Sequence, residues 1–282
     1  MYIGSHISKS NGYLNAVKNA IQIGANCMQI FISSPRKITF PLDKLTDNDK
    51  QEFKEVVKLC IKEKFKIYIH SPYIINLCDP EKFKLNTKLL LQELTICDYL
   101  NGEGVVIHTG SKKKDQTLDN AHNTYINVIK NILKLFKGKS KLLLETSAGQ
   151  GNSIGVSIED FLMIYNSFTK KEQSKLGLVL DTCHIFSAGY DIRTLKGIKQ
   201  YFRDFNKITG IKNIKLIHLN DSMRELNSHV DRHENIGKGY IYSKSLETIK
   251  YLKSKKIPII LETPDTYPYE KYKKEIQLIK NL

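Results

Sequence analysis

The chain has 282 residues, 41% of them hydrophobic and 26% charged, and its 44 Lys+Arg against 29 Asp+Glu give a formal net charge of +15. No apolar run reaches the ~18–20 residues of a membrane span, which excludes a membrane-spanning helix. MYIGSHISKSNG at the start carries no charged n-region or long apolar stretch, and the five scattered cysteines (Cys27, Cys60, Cys78, Cys97 and Cys183) form no C-x-x-C. A secretory leader and a disulfide framework are therefore not expected, and the setting expected is an intracellular, reducing compartment, the cytoplasm in a prokaryote. A surface this basic attracts polyanions, with nucleic acid foremost. The many Lys, Asn and Ile residues also fit a simple compositional bias, so charge alone leaves that open.

In chain order, short runs rich in Ile, Val and Leu occupy 2–7, 27–32, 66–70, 104–109, 141–146, 177–182, 214–220 and 257–263. They are mostly apolar on both faces, as strands of a buried parallel sheet are. Amphipathic stretches follow them at 12–24, 49–63, 84–100, 118–136, 158–168, 195–208, 244–253 and 269–279. Eight strand–helix units in one chain, with no linker between them, predict a (β/α)₈ TIM barrel spanning 1–282 as a single catalytic domain. No G-x-G-x-x-G follows the first strand, which weakens a dinucleotide-binding alternative.

The chemistry sits at the ends of the predicted strands. His70, His108, Glu145, Asp181, His218 and Glu262 close six consecutive runs, 38, 37, 36, 37 and 44 residues apart. Strand C-termini of a barrel converge on one face, where active sites lie, so these six form a ring around one pocket. A single such His or Asp is ordinarily a core histidine or a helix cap. Six at one register are not, and without a cation three buried carboxylates would repel one another.

Two further clusters follow. His184 lies three residues after Asp181, in the expected loop after the sixth strand, and Asp231-Arg232-His233 lies in the long segment after the seventh. In an extended segment, Asp231 and His233 point the same way. Nine candidate ligands exceed what one four-coordinate zinc uses, which suggests two or three metals with Glu145 bridging. Such clusters activate water and clamp the attacking and leaving oxygens of a phosphate ester. The alternative is a metal-dependent sugar isomerase or epimerase on the same barrel, which needs only about four such ligands.

Over its whole length the chain resembles the endonuclease IV family of apurinic/apyrimidinic (AP) endonucleases. The resemblance is carried by His70-Ser71-Pro72-Tyr73-Ile74-Ile75-Asn76-Leu77, Glu145-Thr146-Ser147-Ala148-Gly149-Gln150-Gly151, Asp181-Thr182-Cys183-His184, His218-Leu219-Asn220-Asp221 and Val230-Asp231-Arg232-His233. It implies a TIM barrel with three Zn²⁺ per chain, Mn²⁺ being an alternative occupant. One ion would be held by His70, His108 and Glu145, a second by Glu145, Asp181, His218 and Glu262, and a third by His184, Asp231 and His233. It also implies a monomeric enzyme of base excision repair acting on double-stranded DNA. The phosphodiester 5′ to an abasic site would be hydrolysed, leaving a 3′-hydroxyl and a 5′-deoxyribose phosphate, with 3′-phosphodiesterase activity as an accessory expectation. Arg36, Tyr73 and Ile74 match the positions at which family members push side chains into the duplex.

Three positions depart from the family pattern. Thr109 stands where proline is usual, Asn227-Ser228-His229 replaces Gly-Ser-Arg, and Gly237-Lys238-Gly239 replaces Gly-Glu-Gly. None is a candidate ligand, so they bear on DNA contacts and loop shape. His229 is expected on the surface, and His6, at the end of the first strand, is expected near the pocket floor.

Overall fold

A computed structural model describes residues 1–34 and 36–282. Eight strands form the barrel: β1 (Ile3–His6), β2 (Cys27–Phe31), β3 (Lys66–His70), β4 (Gly104–His108), β5 (Lys141–Glu145), β6 (Leu176–Asp181), β7 (Ile214–His218) and β10 (Ile259–Leu261). They pair in parallel and close in the order β1-β10-β7-β6-β5-β4-β3-β2. Between β7 and β10 a short antiparallel pair is inserted, β8 (Asp221–Ser222) with β9 (His233–Glu234). The (β/α)₈ barrel expected from the alternating runs is the fold found. Among the described residues no helix is long and apolar enough to cross a membrane.

The main helices are α1 (Tyr13–Gln22), α2 (Asp47–Glu63), α3 (Phe83–Tyr99), α4 (Leu118–Leu135), α5 (Ile158–Asn166), α8 (Leu195–Ile208), α9 (Glu247–Ser254) and α10 (Glu270–Asn281). Their starts are chemically marked. Thr46 and Asp49 form a reciprocal capping box on α2, while Thr117, Ser157 and Thr194 cap α4, α5 and α8. The buried stripes of these helices and the outward faces of the strands form one continuous apolar layer around the barrel.

The interior of the barrel positions the site. Cys27, Tyr68, Val106, Leu143, Val179, Leu216 and Ile260 form a separate buried cluster, one residue from each of seven strands. Each lies two residues before a polar side chain: Gln29, His70, His108, Glu145, Asp181, His218 and Glu262. Because side chains alternate along a strand, residues two apart share a face, so an apolar plug floors a polar upper layer. β1 supplies Gly4 at the plug level, where a Cβ would stand 1.7 Å from the Cys27 carbonyl oxygen. The glycine lets β1 and β2 approach.

Several expectations need correction. The segment after β6 is not a loop: α7 (Thr182–Ser187) begins directly after Asp181, whose carboxylate caps it by accepting from the His184 backbone N–H at 3.0 Å. A capping residue that also ends a strand hides the helix start from periodicity. Glu262 lies one residue beyond β10 rather than within it. The short α6 (Lys170–Gln173) appears where the helix over 158–168 was expected to lead straight to the strand, and it carries its own Thr169/Glu172 capping box.

Candidate metal centre

Glu145 is the hub. It is fully buried, and its two oxygens face opposite sides of the pocket. Oε2 lies 3.3 Å from His70 Nε2 and 3.0 Å from His108 Nε2. Oε1 lies 2.6 Å from His218 Nδ1, and that nitrogen is also 3.1 Å from Glu262 Oε2 and 3.9 Å from Asp181 Oδ2. Beyond this pair of groups, Asp231 faces two imidazoles, with Oδ2 3.2 Å from His184 Nε2 and Oδ1 3.1 Å from His233 Nε2. Asp181 Oδ2 lies 3.5 Å from His233 Nε2 and so stands between the second and third groups. The nine side chains singled out in the sequence are thus brought together, and two compact donor groups have the expected members: His70, His108 and Glu145; and Glu145, Asp181, His218 and Glu262. The third differs, because the compact group around His184 and His233 is completed by Asp181, while Asp231 groups with Cys183 and His233.

Backbone and amide oxygens fix the ring hydrogens. His70 Nδ1 faces the Ser71 carbonyl at 2.8 Å, His184 Nδ1 the Thr146 carbonyl at 2.8 Å, and His233 Nδ1 the Glu262 carbonyl at 3.2 Å. His218 is reversed, with Nε2 2.9 Å from Gln29 Oε1. Carbonyl oxygens only accept, so these ring nitrogens donate and the other nitrogen of each ring aims a lone pair at a carboxylate. Lone pair against carboxylate repels unless a proton or a metal cation lies between. His184 Nε2 and His233 Nε2 are buried and have no hydrogen-bond partner among the described residues.

The titration of the groups reflects the same demand. Burial opposes charge on Glu145, but His218 and His108 outweigh it and hold the carboxyl well below the usual carboxylate range. Glu262 and Asp231 are lowered in the same way, by His218 and by His184 respectively. Burial also opposes charge on the imidazoles, and the carboxylates overcome it. Glu262 and Glu145 push His218 well above its ordinary range, while Asp181 and Asp231 push His233 up to about 9 and do the same, more strongly, for His184. A bound cation would meet the same demand as protonation of these imidazoles. The donors are nitrogen and carboxylate oxygen, a set that suits zinc. Cys183 lies close enough to join Asp231 and His233, but its thiol is buried and donates to the Arg232 carbonyl at 3.6 Å.

A family model described as Xylose isomerase-like TIM barrel matches residues 17–282. An endonuclease 4 of Acanthamoeba polyphaga mimivirus is 36% identical over 93% of this chain and 85% of its own length. The chain belongs to the endonuclease IV family. Apurinic-apyrimidinic endonuclease 1 of Plasmodium falciparum is 37% identical over 100% of this chain, which spans only 47% of that longer protein. The crystal structure of endonuclease IV from Thermus thermophilus superposes with a TM-score of 0.81, covering 100% of this chain and 98% of that one at 24% identity, a likeness of fold.

The side chains expected from the sequence to meet DNA are exposed, and Tyr73 lines the pocket beside the centre. Tyr73 is 58% exposed, with its ring 5.8 Å from His108 and 5.3 Å from Phe31, and Ile74 beside it is 37% exposed. Arg36 is exposed in the segment between β2 and α2. The departures from the family pattern are accommodated locally. The Thr109 hydroxyl donates to the Ile154 carbonyl at 2.5 Å, tying the loop after β4 to the loop after β5. His229 is exposed and sits over Gly149, where a Cβ would come within 2.4 Å of its Nδ1. His6 lies beside the centre, 3.8 Å from Glu262 Oε1.

Two residues that hold candidate ligands were given no role in the sequence, although Asn220 lies in one of the motifs. Gln29, fully buried, donates from Nε2 to Glu262 Oε1 at 2.5 Å and accepts from His218 at Oε1, joining two candidate ligands. Asn220 donates to Asp181 Oδ2 at 2.7 Å and accepts from the Glu262 backbone N–H at 2.8 Å. Strand parity was the available signal for Gln29, a lone polar residue at the ligand level of an apolar strand.

Proposed function

We propose that this chain is a metal-dependent AP endonuclease of base excision repair that hydrolyses the phosphodiester 5′ to an abasic site in double-stranded DNA. The observation that carries the reading is the placement of Glu145, one oxygen toward His70 and His108 and the other toward His218. A buried carboxylate so placed would serve two cations at once, and Asp231 with His184 and His233 would provide for a third. The ligand sets are those given by the family resemblance: His70, His108 and Glu145; Glu145, Asp181, His218 and Glu262; His184, Asp231 and His233. Three Zn²⁺ fit the nitrogen and carboxylate donors, with Mn²⁺ able to replace one or more. When bound, such ions lower the pKa of water and neutralise charge on the phosphate and the leaving oxygen.

The protein's own part is positional. Ser71, Thr146, Glu262 and Gln29 oxygens orient four imidazoles through their ring N–H groups. A pocket beside the centre, about 330 Å³ and lined by Tyr73, Asn76, Thr109, Ser147, Gln150 and Asp231, gives room for a flipped-out sugar-phosphate. Arg36, Tyr73 and Ile74 would wedge into the duplex from the rim and hold it bent. Residues 1–282 act in this reading as one catalytic domain, monomeric, in an intracellular reducing compartment that keeps the five buried cysteines as thiols. A 3′-phosphodiesterase activity would use the same centre.

Incision of a duplex oligonucleotide bearing one tetrahydrofuran abasic analogue, with metal content measured on the same sample, tests the reading. A product with a 3′-hydroxyl and about three metals per chain is expected. One metal per chain with turnover of a ketose or aldose and no incision would place the chain with the sugar isomerases instead.

A further inference from the structure

The two ends of the barrel carry unequal shares of the net charge. All eight barrel strands are parallel, so the segments leading from each helix into the next strand gather at the end opposite the metal centre. Taken from the residue after each main helix to the second residue of each strand, these segments hold Lys64 and Lys66 at β3, and Lys137, Lys139 and Lys141 at β5. Lys170, Lys171 and Lys175 precede β6, Lys212 and Lys215 border β7, and Lys255 and Lys256 precede β10. Against these twelve lysines stand two carboxylates, Glu103 and Glu172. The segments at the catalytic end, with Glu145 and Asp181 at their strand ends, hold thirteen basic and thirteen acidic residues.

The acidic groups at the lysine end are few and engaged: Asp98, next to last in α3, accepts from the backbone N–H groups of Lys139 and Ser140 at 2.7 and 3.2 Å. Lys66 pairs with Glu103 at 3.0 Å, the one ion pair within these segments among the described residues. Glu172 is engaged in capping Thr169. Lys141, Lys175 and Lys215 donate to the carbonyls of Ser174, Leu133 and Lys212, which spread negative charge but do not cancel a cation. Lys130, Lys134, Lys137, Lys171 and Lys175 rim a cleft of about 270 Å³ that holds one carboxylate, Glu172. Such a surface repels itself until a polyanion covers it.

We propose that this lysine pole is a second nucleic-acid surface, gripping the backbone of an intact duplex segment while the metal centre holds another. The proposal rests on the DNA reading above for the choice of partner. Binding to undamaged DNA is driven by phosphate contacts and counterion release, and twelve lysines against two carboxylates supply such contacts independently of the ions at the catalytic end. The pole contains lysine and no arginine, which suits sequence-independent contact by mobile point charges rather than planar recognition of base edges. A lipid surface is disfavoured because the aromatics of these segments, Phe65, Phe136 and Phe168, are buried and leave no apolar anchor. A protein so built can bridge two duplex segments during its search.

The test uses the metal-loaded full chain and a variant with Lys137→Glu, Lys139→Glu, Lys171→Glu and Lys212→Glu, all exposed positions. Fluorescence anisotropy with a labelled intact duplex is recorded across a salt series, alone and after saturation with unlabelled tetrahydrofuran duplex. The wild type is expected to bind the labelled duplex in both cases. The variant should lose at least about tenfold in affinity, and its slope of log K against log salt should be shallower by about 3–4, near 0.9 per phosphate contact. Its incision of a short abasic duplex at saturation should be unchanged. Refusal of the second duplex by the saturated wild type, or equal binding and slope for the variant, overturns the proposal. So does capture of phosphatidylserine-containing vesicles or single-stranded RNA by the pole in place of duplex DNA. A variant that loses intact-duplex affinity while the wild type fails to incise leaves the pole standing and removes the activity reading alone.

Discussion

Gln29→Leu probes whether the centre depends on a residue that is not itself a candidate ligand. The side chain is fully buried and makes two polar contacts that matter: Nε2 to Glu262 Oε1 at 2.5 Å and Oε1 from His218 Nε2 at 2.9 Å. Leucine fills a similar volume but leaves a ring N–H and a carboxylate oxygen without partners. Each buried unsatisfied group costs about 1–3 kcal/mol, so the pair costs about 2–6 kcal/mol before any water enters. His218 also loses the acceptor that holds its Nδ1 toward Glu145 and Glu262. Loss of such a support typically lowers metal affinity or activity about 10–100-fold. The expected result is a folded variant whose zinc content falls by about one ion per chain under mild chelation, with incision reduced about 10–100-fold. Inductively coupled plasma analysis after graded chelation and single-turnover incision read the two quantities. Wild-type zinc retention together with wild-type turnover would refute the reasoning and reduce Gln29 to a space-filler.

Glu145→Gln keeps the shape of the hub but removes the charge shared by two groups, so incision should fall by at least about 10³-fold and metal content by more than one ion; loss of one ion alone would contradict bridging. Asp231→Ala should leave about two ions per chain and a slow enzyme, and retention of three would show that Asp181 completes the third group instead. Arg36→Ala and Tyr73→Ala should weaken binding to tetrahydrofuran duplex with unchanged metal content, since both lie at the rim; zinc loss in either would make the loop structural. Glu93, on α3, is buried with one oxygen accepting from the Ser33 hydroxyl at 3.2 Å and the other unpartnered among the described residues, and burial pushes its carboxyl up to about 8 from 4.5. The folded state therefore keeps a proton that the unfolded chain has released, so Glu93 lowers stability as pH rises from about 4.5 through about 8. Glu93→Gln should be more stable than wild type by on the order of 4 kcal/mol at pH 9, the gap closing near pH 5; denaturant unfolding that shows a gap independent of pH would rule this out.

The barrel and most of the centre were legible because both follow from period two. Ligands at the ends of parallel strands recur at nearly constant spacing, and each strand declares itself by apolar residues on both faces. What was illegible depends on contacts between distant segments. α7 starts at Asp181 because that carboxylate turns to cap it, and an isolated Asp-Thr-Cys-His reads equally as a loop. The hairpin of β8 and β9, which sets Asp231 and His233 against His184, is too short for any periodicity. It is held instead by Asp221, whose carboxylate accepts from the backbone of Gly237, Gly239 and Ile241 at 2.9, 3.0 and 2.8 Å. The net charge was read as a whole, and alone it left a polyanion partner and a compositional bias both open. Only the topology separates a charge-balanced catalytic end from a lysine pole.

The shared parity has a further consequence for how the centre is specified. Every candidate ligand on a strand, and Glu262 just beyond one, has an inward apolar residue two positions earlier, from Tyr68 below His70 to Ile260 below Glu262. Slipping one strand by a single residue would turn its plug residue into the helix layer and its ligand out of the pocket together. The core thus enforces the register that the metal centre needs, and the two cannot drift apart by small steps. The hairpin ligands have no such enforcement, because Asp231 and His233 are held by loop hydrogen bonds rather than by the plug. Divergence within a common barrel should therefore fall first on the third group, while the groups built on β3 to β7 and β10 stay fixed.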